Sequence, residues 1–255
     1  MTMNIDLRKK IVLVTGASGG LGAAISRELA GAGAAVAVHY HRGERAAEEL
    51  AAEIGNGAHC FRADLGSPGG PGELFDAVVR HYNAIDVLVN NAGVFENSPI
   101  DRDRTAWLAD WNAVIAINLT SVGVLCHAAV NHFRKRGGGR IINIASRAAF
   151  RGETEDYLAY AASKGGMVSL SRSIARSFGK HNITSFVIAP GLVRTRMIAG
   201  YLEKNDEADV VEREHALPAL TEPRDIAPTV VFIAAGMMDH ATGCTIDVNA
   251  GSYMR

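Results

Sequence analysis

The chain is expected to be an α/β protein: a doubly wound parallel sheet of about seven strands with helices on both faces. Two observations predict this. Short apolar runs alternate with longer amphipathic segments from end to end of the 255 residues, and repeated strand–helix–strand order gives a parallel sheet covered on both sides. Most of the runs are apolar without clear two-residue alternation, as expected of strands buried on both faces.

The strand candidates are Ile11–Val14, Val36–Val38, His59–Phe61, Ile85–Val89, Ile141–Ile144, Ser185–Ile188 and Thr245–Val248. Helical patterns lie between them, at Leu21–Ala30, Arg45–Ile54, Gly72–Tyr82 and Arg224–Ala235. Two are long, about Arg104 to Arg136 and about Tyr157 to Gly179. The breaker-rich stretch Gly66–Gly72 is only a loop's length, so it reads as a flexible connection before a helix and not as a domain boundary. Residues 1–255 are expected to form one domain.

Composition sets bounds on function. The chain is 48% hydrophobic and 21% charged, which does not suit wholesale disorder. A net charge of −1 gives no basic excess for a nucleic-acid surface. Cys60, Cys126 and Cys244 form no CxxC or zinc spacing and sit in apolar stretches, so they read as buried free thiols in a reducing cytoplasm. Met1 to Lys10 lacks the apolar core of a signal peptide, and no run approaches the ~18 apolar residues of a membrane span. No cluster of histidines, cysteines or carboxylates has metal-ligand spacing.

The first strand runs into Thr15-Gly16-Ala17-Ser18-Gly19-Gly20-Leu21-Gly22, and a helix pattern follows at once. Glycines permit a tight turn and close backbone approach. A helix N-terminus offers unpaired N–H groups and a positive dipole end. Together they suit the pyrophosphate of a dinucleotide at the place where a doubly wound sheet binds one. The spacing is Gly-x-x-x-Gly-x-Gly, without the Gly-Lys-Ser/Thr ending of a Walker loop.

Tyr160 and Lys164 are four residues apart, which puts a phenol and an ammonium on one helix face. Taken alone, such a pair is usually a packed ring and a solvated amine. A free tyrosine has a pKa of about 10, and a nearby cation favours its ionised form. A tyrosine tuned in this way can give or take a proton near neutral pH.

With the glycine loop, this pair resembles the two signatures of the classical short-chain dehydrogenases/reductases. Further matches follow in order: Asp64-Leu65 closing the third strand, Asn90-Asn91-Ala92-Gly93 after the fourth, Asn118 in the first long helix, Ser146 ending the fifth strand, and Pro190-Gly191 leading to Thr195-x-Met197. The likeness spans about Lys10 to Gly251.

The resemblance implies a Rossmann-type fold and a tetrad. Tyr160 would be the general acid in carbonyl reduction and the general base in alcohol oxidation. Lys164 would lower its pKa and bond the nicotinamide ribose. Ser146 would hold the substrate oxygen, and Asn118 a water linking Lys164 to solvent. The cofactor would be held by Gly16, Ser18, Gly20, Leu21 and Gly22. Asp64, Leu65, Asn91, Ala92 and Gly93 would join them, with Tyr160 and Lys164, and with Pro190, Gly191, Val193 and Thr195 from the sixth-strand turn. Tyr157 has Ala161 four residues on and reads as packing or pocket wall. His39, His41 and His127 read as surface or core filling.

NAD-preferring relatives carry an acid at the end of the second strand. Tyr40 stands at that position, and Arg42 follows, suited to a 2′-phosphate. NADP(H) is therefore favoured, with NAD(H) as the alternative. Gly19 departs from the pattern, because NADP enzymes of the family often have a basic residue there.

The pattern is similar to reductases of 3-oxoacyl thioesters on acyl carrier protein, and Arg176 matches a basic docking residue. Asn131 departs from a second such position, although Arg134, Lys135 and Arg136 lie close by. Phe186 and Pro218-Ala219-Leu220 depart as well. A sugar or polyol dehydrogenase and a non-catalytic dinucleotide sensor are the other readings. Arg147 and Arg151 would meet an anionic or polyhydroxylated substrate, unless they are solvated surface charges. Met197 to Leu217 is expected to be a substrate lid. The resemblance also implies a homo-oligomer, dimer or tetramer, packed on stripes including Val114, Ile117, Val122 and Leu125, with the tail Gly251–Arg255 available to a second copy.

Overall fold

A computed structural model describes residues 5–203 and 205–254. Expectations that fall on Met1–Asn4, Lys204 and Arg255 lie outside the described residues. Seven parallel strands form one sheet in the order β3-β2-β1-β4-β5-β6-β7. They are β1 (Ile11–Val14), β2 (Ala35–Tyr40), β3 (His59–Arg62), β4 (Val87–Asn90), β5 (Gly139–Ile144), β6 (Ile183–Pro190) and β7 (Thr245–Val248). The order grows outward from β1 through β2 to β3, then returns to start again at β4. The β1–β4 boundary is thus the switch point, where the crossovers diverge and a crevice opens above the strand ends.

Apolar side chains do alternate, but between two cores. Val12, Val14, Val36, Val38, Val87 and Val89 face one layer. Leu13, Ala37, Leu88, Ile141 and Val187 face the other. Because both faces are covered, both sets are apolar and two-residue periodicity disappears from the sequence. The first layer holds α1 (Gly20–Gly31), α2 (Glu44–Ile54) and α10 (Pro223–Ala234). The second holds α3 (Gly70–Tyr82), the long helix made of α4 (Arg104–Ile115) and α5 (Ser121–Arg136), and α7 (Leu158–Phe178). The short helices α6 (Ala148–Arg151) and α8 (Ala199–Leu202) follow β5 and β6.

Helix ends follow local chemistry. The Asp103 carboxylate accepts from the N–H groups of Thr105 and Ala106 and opens α4 (Arg104–Ile115). Glu222 and Asp225 form a reciprocal capping box at α10, with Pro223 in its first turn. Gly137, with φ of 85°, stops α5 (Ser121–Arg136) in the left-handed region. Between α4 and α5, Ala116–Thr120 is a π turn, so the helix continues with a one-residue change of register around Asn118.

Two sequence expectations change. Ile85 does not join β4; its N–H donates to His132 Nε2 at 3.1 Å, and the strand begins at Val87. Arg104–Arg136 is a helix of 33 residues that is long and apolar enough by composition to cross a membrane, although no such stretch was expected. It packs against the sheet, α3 and α7 as a core helix of the domain. Its strand-facing side includes Leu125, Ala129 and Phe133, all buried.

Phe186, one of the departures from the family pattern, is fully buried between β6 and the α10 layer. Phe186→Ala is expected to cost about 3–5 kcal/mol of stability through lost burial and a residual cavity, read as a lower urea midpoint.

Candidate active site

The strand ends and the loops after them border a cleft of about 1110 Å³. Every residue expected at the site lines it except Tyr40 and Asn118.

The glycine loop is built by exclusion. Gly16 and Gly20 have φ of +64° and +54°, conformations that side chains disfavour. A Cβ on Gly22 would lie 2.2 Å from the Gly16 carbonyl oxygen and 2.6 Å from Asn91 Nδ2, so α1 starts in contact with the loop. Thr15 ties this turn to the neighbouring strand end. Its hydroxyl accepts from the Asn91 and Ala92 N–H groups at 2.9 and 3.0 Å. Asn91 Nδ2 returns the tie, donating to the Thr15 and Gly16 carbonyls. The Asn91 side chain is therefore spent on holding the loop, while its backbone borders the cleft.

His39 is part of this site, which the sequence reading missed. It is buried, and its Nδ1 accepts from the Gly16 N–H at 2.9 Å while Nε2 lies 3.3 Å from the Ala63 carbonyl oxygen. That pairing needs a neutral ring with the proton on Nε2. Burial pushes its pKa down to about 4, a little offset by the Ala63 contact and reinforced by His41. The only clue in sequence was a polar residue near the end of a buried strand.

At the end of β2 the structure corrects the reading of Tyr40. Its ring is buried and its hydroxyl donates to Glu44 Oε1 at 2.7 Å, so its side chain does not reach the cleft. The polar residues that do border the cleft here are His41, Arg42 and Asp64. The Arg42 guanidinium has no ion pair or hydrogen bond among the described residues; of the nearby acids, Glu44 is taken by Tyr40 and Asp64 stands 3.9 Å from His41.

Tyr160, Lys164 and Ser146 meet deeper in the cleft. The Ser146 hydroxyl accepts from the Ala148 N–H at 3.1 Å. Lys164 Nζ donates to the Ile144 carbonyl at 2.8 Å and lies 5.7 Å from the Tyr160 ring centroid. Gly93 lies alongside it: a Cβ there would be in contact with Nζ at 3.5 Å and crowd Asn118 Oδ1 at 3.2 Å. The expected depression of the Tyr160 pKa is not found. Burial pushes the phenol up to about 12; the Ser146 hydrogen bond opposes this and the Glu153 charge adds to it. Burial likewise pushes Lys164 down to about 8. Removal of both groups from water outweighs their mutual attraction at this separation.

Asn118 also differs from expectation. Its side chain is fully buried in the π turn, accepting from the Val94 N–H and donating to the Val94 carbonyl, both at 2.9 Å. It pins the segment after β4 and keeps Gly93 beside Lys164.

Arg147 is buried and not a surface charge. It donates to Glu214 at 2.9 Å, and Arg151 meets the same carboxylate at 3.0 Å. Glu214 ends α9 (Glu207–Glu214), within the excursion after β6. Phe95, another lining residue, stacks on Tyr157 at 3.9 Å and meets Tyr160 edge-on at 4.7 Å. Tyr157 thus buttresses the ring that the cleft exposes. The tail packs on its own chain: Ala216 and Leu217 donate to the Ala250 carbonyl, and Tyr253 stacks with Phe150.

The glycine cradle, the open Arg42 and the Tyr160–Lys164–Ser146 grouping fit a nicotinamide dinucleotide. The chain belongs to the short-chain dehydrogenase family, whose model matches residues 10–206. It is an NAD(P)-dependent oxidoreductase acting on CH–OH or carbonyl groups. It is 32% identical over 254 residues to the 3-oxoacyl-[acyl-carrier-protein] reductase of Aquifex aeolicus, covering 98% of this chain and all of that protein. Its fold is similar to that of a putative gluconate 5-dehydrogenase from Beutenbergia cavernae with bound NADP, with a TM-score of 0.89, 30% identity, and coverage of 98% and 99%. It is also similar to a blue fluorescent protein from a metagenomic library in complex with NADPH, with a TM-score of 0.87, 33% identity, and coverage of 98% and 100%.

Two outcomes follow. Gly22→Ala must displace the Gly16 carbonyl, and dinucleotide affinity is expected to fall at least about tenfold in a fluorescence titration. His39 has a folded pKa below its unfolded value. Its contribution is therefore complete above pH 6.5 and lost as pH falls through about 4. His39→Gln is expected to flatten that acid limb by about 3 kcal/mol, measured as the difference in stability between the two proteins from pH 7 to pH 4.

Proposed function

We propose that the chain is an NADP(H)-preferring enzyme that reduces a small ketone, with a 3-oxoacyl thioester as the leading candidate, and that oxidises the corresponding secondary alcohol in reverse. One observation carries the cofactor preference: the β2 end presents Arg42 to the cleft with no ion pair among the described residues, and the Asp64 carboxylate in the lining comes from beyond β3 and stands 3.9 Å from His41. A guanidinium matches a 2′-phosphate, whereas an acid would repel it. The thioester reading is supported by the likeness to the Aquifex reductase. Support for carrier docking is thinner: Arg176 is exposed, while the Asn131 amide is turned onto His127.

When bound, the dinucleotide supplies or takes the hydride. Tyr160 does the proton work. With a pKa held high by burial, it is a protonated phenol at neutral pH and can donate to a carbonyl oxygen that gains charge. Ser146 shares that oxygen and pairs with Tyr160. Lys164, readily deprotonated for a lysine, stands behind the phenol as the next group in a proton path. Both polar ends of the Asn118 amide are occupied by Val94, so a water on this path would be held by main chain and not by that side chain. Residues 197–217 act as the lid over the substrate end, and the protein works as a homo-oligomer in the cytoplasm.

A second reading, oxidation of a sugar or polyol, is favoured by the charged rim. Arg147 and Glu153 border the cleft within reach of Tyr160's surroundings, and hydroxyl-rich ligands suit paired donors and acceptors. NADPH oxidation with acetoacetyl thioesters and simple diketones, beside NADP⁺ reduction with sugars and polyols, separates the two. Tight dinucleotide binding without turnover on any of these would instead indicate a sensor.

Tyr160→Phe is expected to lower kcat by at least about a hundredfold with dinucleotide affinity within about twofold. Unchanged turnover would sink the assignment. Arg42→Gln is expected to weaken NADPH binding about tenfold or more, the worth of a charge-assisted hydrogen bond, and to leave NADH binding unchanged.

A further inference from the structure

Gly19 leaves the glycine loop without a basic side chain of its own. The structure places another arginine over the same spot. Arg196 Nη2 lies 3.7 Å from where a Cβ on Gly19 would be, and among the described residues no other atom outside the adjoining loop residues lies within 4 Å of that position. The approach comes from the opposite wall of the cleft, just beyond the turn after β6. We propose that Arg196 binds the pyrophosphate of the dinucleotide, standing in for the missing loop residue. This rests on the reading of the cleft as a dinucleotide site.

Three observations carry it. First, Arg196 borders the cleft, and its guanidinium makes no ion pair or hydrogen bond among the described residues. Arg194, two residues earlier, is instead fully engaged, meeting Glu207 at 2.6 Å and Glu222 at 2.6 Å. An exposed arginine left open while its neighbour takes both nearby carboxylates is available to an anion.

Second, position selects the pyrophosphate and not the 2′-phosphate. A Cβ on Gly43 would lie 3.1 Å from Ser18 Oγ, so the Ser18 side of the loop adjoins the end of β2 and Arg42. Arg196 arrives from the other side. A Cβ on Gly20, the first residue of α1, would lie 3.4 Å from Thr195 Cγ2. The Thr195–Arg196 pair thus overhangs the start of α1, where free N–H groups and the helix dipole favour a phosphate.

Third, the chemistry is complementary. Backbone N–H groups and one guanidinium would approach the diphosphate from two faces, and Arg forms paired bonds to phosphate oxygens. Gly19 has φ of −176°, an ordinary extended value, so no backbone requirement calls for glycine there, and the guanidinium stands within contact distance of the position a loop side chain would start from.

The test is equilibrium binding of four probes, AMP, ADP-ribose, NADH and NADPH, by calorimetry to the wild type, Arg196→Gln, Arg196→Lys and Arg42→Gln. Arg196→Gln is expected to weaken ADP-ribose, NADH and NADPH alike, by about tenfold or more. AMP, which carries only one of the two phosphates, should lose less than ADP-ribose does, and the NADPH-to-NADH ratio should be unchanged. Arg196→Lys should retain part of the affinity. Arg42→Gln should change the ratio instead. ADP-ribose affinity within twofold of wild type in Arg196→Gln would overturn the proposal, as would a loss confined to NADPH. Matching thermal melts identify the effect as one on binding, as expected for an exposed side chain. If the wild type binds neither dinucleotide, the cofactor reading falls and the Arg196 assignment with it. If it binds both and Arg196→Gln changes nothing, only the Arg196 assignment falls.

Discussion

The site depends on one junction, the hydrogen-bonded tie between the ends of β1 and β4. Thr15 offers a single hydroxyl to two backbone N–H groups of the next strand's loop, and Asn91 answers with its amide. These strands lie at the point where the sheet's connectivity reverses, so no crossover helix covers the gap above them. The tie fixes the glycine loop on one side and Ala92–Gly93 on the other. His39 adds a third attachment from β2. Three parallel strands thereby hold one turn of backbone rigidly enough for a ligand to be read by its N–H groups.

Deeper in the cleft, burial is the governing term. The Tyr160–Lys164 spacing suggests a cation easing the ionisation of a phenol, but in the folded chain both groups are driven toward their neutral forms. Removing a charge from water costs more than a partner at this distance returns. The arrangement stores a proton on tyrosine and makes lysine an unusually willing donor. Asn118 contributes by position: the π turn carries its amide to Val94, and Gly93 is thereby held beside Lys164 Nζ.

Much of this was legible in the residues. The seven strands stand out because Val12–Val14, Val87–Val89 and Ile141–Ile144 must be apolar on both faces. Family motifs located nearly the whole rim of the cleft. What could not be read were meetings between distant segments. Nothing local says that His39 will accept a bond from Gly16, that Tyr40 will turn to Glu44, or that Arg147 will be buried under Glu214. Arg196 is the clearest case. In sequence it is a charge between Thr195 and Met197; only the fold brings it beside a glycine near the other end of the chain. The pKa directions were misjudged for a related reason, because spacing along a helix fixes proximity but not the depth of burial.

The excursion after β6 is fastened unequally at its two ends. Near its root Arg194 meets Glu207 and Glu222 in the open, where ion pairs are weak and screened by salt. At its far end Glu214 meets Arg147, which is buried against the strand that carries Ser146. One attachment is screened by solvent and the other rests on a buried cation. The excursion is therefore tied to the rest of the domain loosely at one end and firmly at the other. A protein built this way can alter what it admits above Tyr160 while leaving untouched the machinery beneath.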